Sequence, residues 1–232
     1  MRLDKFIHTI QGISRSQANQ LLKAGVVRVN EIVVKSGALH IKESDAVEIE
    51  GESASLHSVT EQLYFMLFKP TGYVCTNDDS NYPSVTRLID HPRARDLHSA
   101  GRLDADTTGL VLLTTDGQWS HRVASPNKQC GKTYRVTLQH PITIDMMAII
   151  ETGILLRGES KTTKPATIEI ITPEEVLLTI HEGKYHQVKR MFAAVGNHVI
   201  GLHRCQVGEL MLDQSLQIGQ FRPLSASEIS LF

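Results

Sequence analysis

The stretch 100–117, Ala-Gly-Arg-Leu-Asp-Ala-Asp-Thr-Thr-Gly-Leu-Val-Leu-Leu-Thr-Thr-Asp-Gly, is the densest run of residues able to do chemistry in this chain. Two carboxylates (Asp104 and Asp106), Arg102 and two threonines lie between Gly101 and Gly109, directly before an apolar run. Such a loop can hold a charge at the mouth of a pocket, and its glycines let a ligand approach the backbone closely. The same aspartates could instead bond the amides of their own loop, as Asp in turns commonly does. Glycoside hydrolysis by the pair is poorly supported, because two acids at i and i+2 on one loop point in different directions and no further acid is identifiable.

Other segments offer less. His181-Glu182-Gly183-Lys184-Tyr185-His186 resembles a zinc-protease helix only superficially. Its histidines are five apart, so they would not share a helix face, and Gly183 interrupts the helix. Gly183-Lys184 lacks the Ser/Thr and the upstream glycine of a phosphate loop. Cys75, Cys130 and Cys205 are scattered without a C-x-x-C pair, which argues against a disulfide framework or a structural zinc and for reduced thiols. No metal site and no cofactor are expected. Lys132-Thr133-Tyr134 opens one candidate strand and Tyr185–Arg190 one candidate helix; read alone, these fit packing and solvated charge as well as function.

Two groups of elements must position these residues. Leu3, Phe6, Ile7 and Ile10 repeat at i, i+3, i+4, i+7 and predict a helix that Gly12 ends. Ser14 and Gln17 read as a capping box for a second helix carrying Ala18, Leu21 and Leu22, with Gly25 as its stop. Short strands are expected at 26–29, 32–34 and 46–49, and a linker at 51–61. A second domain then begins with the apolar run 63–68, turned by Lys69-Pro70-Thr71-Gly72 into a returning strand at 73–76. Further strands are expected at 110–114, 134–138, 167–171, 176–180 and 199–202, and helices at 117–124, 144–152 and 185–195. Strands outnumber helices without alternating with them, so the fold class is α+β with a mostly antiparallel sheet, in two domains, 1–58 and 59–232.

Composition fits this frame. The 232 residues are 41% apolar and 21% charged, ordinary for a globular chain. No apolar run reaches the roughly 18 residues of a membrane helix, and Met1-Arg2-Leu3-Asp4-Lys5 lacks the order of a secretory signal, so a cytoplasmic protein without a membrane partner is expected. Net charge is −1, yet residues 1–42 hold seven basic side chains (Arg2, Lys5, Arg15, Lys23, Arg28, Lys35, Lys42) against Asp4 and Glu31. A basic module before a mildly acidic body suggests a polyanion at the front end, although a solvated basic face would look the same.

Taken together, the segments resemble the RsuA/RluB/RluE/RluF branch of the ribosomal RNA pseudouridine synthases. The likeness is carried by R-L-D-K-F at the start, S-R-S-Q-A leading the second helix, Y-F-M-L-x-K-P-x-G-Y-V-C-T at 64–76 and G-R-L-D-x-D-T-T-G-L-V-L-L-T-x-D-G at 101–117. K-T-Y-R-V (132–136), T-K-P-A (163–166) and E-G-K-Y-H-Q-V-K-R-M-F (182–192) follow in order. G-Q-W-S-H-R (117–122) and 186–199 are closer to the small-subunit members than to the large-subunit ones.

The resemblance implies a small S4-like α/β RNA-binding domain followed by a catalytic domain with a mixed, mostly antiparallel sheet flanked by helices. It implies isomerisation of a uridine to pseudouridine in ribosomal RNA, at uridine 516 of 16S RNA in a small-subunit assembly intermediate. It makes Asp104 the essential aspartate, Tyr134 the residue that packs on the target base, and Lys189 the cation paired with Asp104, with Arg190 as the fallback. Many relatives carry arginine at that place; lysine keeps the charge but loses the bidentate fork. Arg102 would contact phosphate or assist base flipping, Arg190 and the basic front residues Arg2, Lys5, Arg15, Lys23 and Arg28 would contact RNA, and Asp106 and Thr107 would shape the loop. A monomer is expected, since nothing suggests a coiled coil. Two alternatives stand beside this reading: an assembly factor that only binds RNA, and a synthase acting on large-subunit RNA.

Overall fold

A computed structural model describes residues 1–56, 61–76, 81–125 and 130–232. They form two compact units: 1–62 with 90–97, and 63–89 with 98–232.

In the first unit, α1 (Leu3–Gln11) and α2 (Arg15–Ala24) end at Gly12 and Gly25, and Ser14 and Gln17 form the expected reciprocal cap. The strands β1 (Val27–Val29), β2 (Ile32–Val33), β3 (Val47–Ile49) and β4 (Glu52–Ala54) make an antiparallel sheet in the order β2-β1-β3-β4. Here the structure corrects the sequence reading. The start of the expected linker is a fourth strand paired with β3, and Leu56 is buried in the core, while 57–60 lie outside the described residues. Glu52-Ser53-Ala54 has no apolar alternation, because as an edge strand it is held by backbone bonds rather than by a buried face. Leu3, Phe6, Ile7, Leu22, Val27 and Ile49 fill the core between helices and sheet. Full burial of a side chain such as Phe6 contributes about 2 kcal/mol.

The second unit is built on one sheet in the order β13-β5-β7-β11-β8-β10-β9. Its strands are β5 (Tyr64–Lys69), β7 (Thr108–Thr114), β8 (Lys132–Leu138), β9 (Thr167–Thr172), β10 (Glu175–Ile180), β11 (Val199–Val207) and β13 (Phe221–Pro223). Two short strands, β6 (His98–Ser99) and β12 (Leu210–Met211), pair with β7 and β11. The β7–β11 pairing is parallel and the other pairings are antiparallel, so the expected mixed, mostly antiparallel sheet is present. Residues 109–114 of β7 are all buried, as suits a central strand covered on both faces.

Helix α3 (Gly117–Ala124) starts at Asp116, whose carboxylate accepts from the amides of Gln118 and Trp119 and from the Tyr64 hydroxyl at 2.9 Å. Trp119 packs edge-on between Tyr64 and Phe232 and closes the core around Leu110 and Leu112. Helices α4 (Ile144–Thr152), α5 (Gln187–Ala194) and α6 (Ala226–Ile229) complete the unit.

The expected hairpin after Gly72 does not form. β5 pairs with β7 and β13, and 73–76 contribute only an isolated bridge between Val74 and Ser84. The reason is tertiary: Cys75 is buried beneath the 101–107 loop and receives the Leu103 amide at 3.4 Å, so the segment serves that loop instead of a sheet edge.

Candidate active site

Residues 101–107 connect β6 to β7, and three buried groups fix their path. Lys69, at the end of β5, is wholly buried, and its Nζ donates to the carbonyls of Asp104 (3.0 Å), Thr107 (2.8 Å) and Pro70 (2.9 Å). Arg204, on β11, spans the loop's two ends: Nε donates to the Leu110 carbonyl at 2.8 Å and Nη1 to the Arg102 carbonyl at 3.4 Å. Beneath the loop lies Cys75. Burial pushes the Lys69 ammonium down and the Cys75 thiol up from their ordinary values, because each charged form would have to leave water. The loop's shape therefore rests on side chains far away in sequence.

Asp104 is one-third exposed at the rim. Helix α5 brings Lys189 to it: Nζ lies 3.1 Å from Asp104 Oδ2, and 2.6 and 2.9 Å from the two oxygens of Asp106. His186, which precedes α5 in a left-handed conformation (φ 46°, ψ 36°), places Nε2 3.4 Å from Asp104 Oδ1. The helix thus begins two residues later than its apolar pattern suggested, because Tyr185 and His186 are turned out of it. Burial pushes the Asp106 carboxyl up, but the hydrogen bond and charge of Lys189 outweigh this and hold it below the usual range.

Tyr134, on β8, sits in register between Leu178 of β10 and Arg204 of β11 and is 7% exposed. It lines a cavity of about 890 Å³ together with Asp104, Arg102, Lys132, Lys189 and Leu202. That is ample for a nucleotide, since small-ligand sites run to roughly 300–1,000 Å³. The wall carries an aromatic face, apolar side chains and several cations around one carboxylate. Such a site can take up a flat base with its anionic backbone and offer a nucleophile to it.

The three residues read from sequence as catalytic therefore converge on one cavity. Of the two basic neighbours, Lys189 makes the contact with Asp104; Arg190 bonds Glu159 and the carbonyls of Tyr185 and Arg157. Arg102 is exposed at the cavity rim. In the first unit Arg2, Lys5, Arg15, Lys23 and Arg28 are all exposed, and Arg2 also forms a two-pronged pair with the buried Asp4 (3.0 and 2.8 Å). Sequence reasoning missed Lys69, Lys132, Arg204, His186 and the pairing of Asp106. A turn lysine and a strand arginine give no sign of burial in sequence, while Asp106 was visible two residues from Asp104. Among the described residues no group of three or more His, Cys, Asp or Glu is placed to hold a metal, and no helix is long and apolar enough to cross a membrane.

Comparison with known proteins gives the chain's family. Residues 63–194 match the RNA pseudouridylate synthase family, and residues 1–47 match the S4 domain. The chain is 54% identical to a ribosomal small subunit pseudouridine synthase A of Haemophilus influenzae (99% of this chain, 98% of the relative). It is 49% identical to the protein of that name in Escherichia coli, covering 99% of each. A crystal structure of a pseudouridylate synthase, 52% identical, covers 100% of both chains with a TM-score of 0.72. With its aspartate loop, its tyrosine and its basic helix in one cavity, the chain belongs to the RNA pseudouridylate synthase family, enzymes that isomerise uridine in RNA.

Proposed function

We propose that this enzyme converts one uridine of small-subunit ribosomal RNA, uridine 516 of 16S RNA, to pseudouridine, with Asp104 as nucleophile. The observation that carries this reading is the 3.1 Å contact between Lys189 Nζ and Asp104 inside the cavity that Tyr134 lines. The small-subunit target is supported by relatives of that name at 49–54% identity over nearly the whole chain.

The reaction breaks the N1–C1′ bond, turns the ring and forms C5–C1′; C5 loses a proton and N1 gains one. Atoms and charge balance within the substrate, so no redox partner or nucleotide is consumed. The Asp104 carboxylate adds covalently, at C1′ or at the base, or assists departure to a glycal. Lys189 supplies its counter-charge where water is partly excluded. Tyr134 forms the wall against which the flipped base packs and receives the C5 proton. Arg102 and Arg190 meet the RNA backbone near the cavity. Arg2, Lys5, Arg15, Lys23 and Arg28 make the S4 domain the RNA anchor, with domains at 1–58 and 59–232. The enzyme acts as a monomer, in the cytoplasm, on a partly assembled small subunit.

The test is chemical mapping of pseudouridine in naked and partly assembled small-subunit RNA after incubation with the wild type and with Asp104→Asn. A modification at a single site, made by the wild type and lost in the variant, is expected. The same map from both proteins would overturn the role of Asp104.

A further inference from the structure

The segment 182–187 holds a large aromatic side chain out in water, and the surrounding bonds are arranged to keep it there. Tyr185 is 75% exposed, yet its ring stacks on that of His186 with centroids 3.8 Å apart and planes within 20°. His186 adopts a left-handed backbone that residues other than glycine seldom take, which places its ring between Tyr185 and Asp104.

The backbone on either side is pinned. Glu182 Oε1 accepts from the Lys164 amide (2.8 Å) and from Gln187 Nε2 (3.0 Å). Gln187 Oε1 accepts from the Lys184 amide (2.9 Å), and Arg190 Nη1 donates to the Tyr185 carbonyl (3.0 Å). A ring left free to move would need none of this. Folding gains little from it either, because most of Tyr185 stays in solvent.

Position gives the pair its meaning. Tyr185 and His186 line the same cavity as Asp104 and Tyr134, and His186 Nε2 is 3.4 Å from the Asp104 carboxylate. The platform is thus one side chain away from the proposed nucleophile. Drawing a uridine out of its stack leaves the face of the next base bare, and replacing that lost stacking lowers the cost of flipping. Single-stranded bases are commonly held on aromatic side chains for this reason.

We propose that Tyr185, braced by His186, is a substrate-positioning residue that stacks on the nucleobase next to the flipped uridine. This rests on the RNA-modifying function proposed above. Stacking is tolerant of base identity, so Tyr185 contributes affinity and orientation rather than sequence readout.

The test compares wild type, Tyr185→Phe, Tyr185→Leu and Tyr185→Ala on partly assembled small-subunit RNA. KM is expected to rise by roughly 5- to 150-fold for Ala and nearly as much for Leu, with kcat changing less and Phe staying near wild type. A photo-crosslinking benzoylphenylalanine at position 185 is expected to join the nucleotide directly 5′ or 3′ of the modified uridine. An unchanged KM in Tyr185→Ala, a Leu variant equal to Phe, or a crosslink remote from the target would each overturn the proposal. Failure of the wild type itself to form pseudouridine would instead overturn the functional reading on which the proposal rests.

Discussion

Lys189 Nζ lies closer to Asp106 than to Asp104, at 2.6 Å against 3.1 Å, so one ammonium is shared by two carboxylates two residues apart. The shorter contact is not the stronger one by default. The Asp106 side chain is 71% exposed and that of Asp104 30%, and water weakens the outer pair more. Burial alone would push the Lys189 ammonium down, but bonds to Asp106 and Asp104 and their charges outweigh this and hold it above its ordinary value. Lys189 is therefore charged throughout the neutral range.

Sharing implies different consequences on the two sides. Lys189→Met leaves Asp104 without its counter-charge and is expected to lower kcat by about 100-fold or more, the scale at which losing a preorganised electrostatic partner is felt. Lys189→Arg keeps the charge and is expected to stay within about tenfold. Asp106→Asn removes the outer competitor and is also expected to cost less than about tenfold. Single-turnover rates on small-subunit RNA distinguish the three; an Asp106→Asn loss as deep as that of Lys189→Met would make Asp106 an equal partner in the chemistry.

The parallel pairing of β7 with β11 sets Gly109 directly against Arg204, and a Cβ at 109 would lie 2.3 Å from the Arg204 carbonyl oxygen. Its φ of +110° adds strain for any other residue. Gly109→Ala must therefore push apart the strands that hold both ends of the aspartate loop, and is expected to destabilise by about 3 kcal/mol or more. Gly101 has φ +91° but meets nothing closer than 3.9 Å, so Gly101→Ala should lose only about 1–2 kcal/mol, from backbone strain. Urea denaturation of both variants measures the difference, and equal midpoints would contradict the close-approach argument.

Acid stability should depend on a C-terminal cluster. Arg222 donates to Asp213 at 2.6 Å and to both oxygens of Glu228 at 2.9 and 2.7 Å. Bonds from Ser215, then from Arg222, hold the Asp213 carboxyl at about 2. The Arg222 hydrogen bond leads in holding Glu228 at about 2. In the unfolded chain these groups return to 3.8 and 4.5. Both are lower in the folded state, so their stabilisation is complete above pH 4.5 and is lost as pH falls toward 2. Arg222→Met is expected to have a lower Tm at neutral pH and a flatter decline of Tm on acidification. Parallel Tm curves for wild type and variant would exclude the cluster as the source.

Local rules make much of this protein legible in its amino-acid sequence. The period of Leu3, Phe6, Ile7 and Ile10 and the Ser14–Gln17 cap are each decided within one or two turns, and both helices form where the pattern places them, while the strand expected at 134–138 begins two residues earlier, at Lys132. The order of motifs likewise singles out Asp104, Tyr134 and Lys189, because a family's chemical residues keep their sequence context. The failures are non-local. Residues 73–76 have strand character but support a loop, and 52–54 have little strand character but gain a partner in β3. The geometry of the site arises the same way: β5 supplies Lys69, β11 supplies Arg204, and α5 swings His186 and Lys189 over a loop some eighty residues earlier. A lysine or arginine carries no mark of its burial in sequence. Only when strands distant in the chain pair does the ammonium of Lys69 meet the carbonyls that can replace water around it, and only then does the position of Asp104 become fixed.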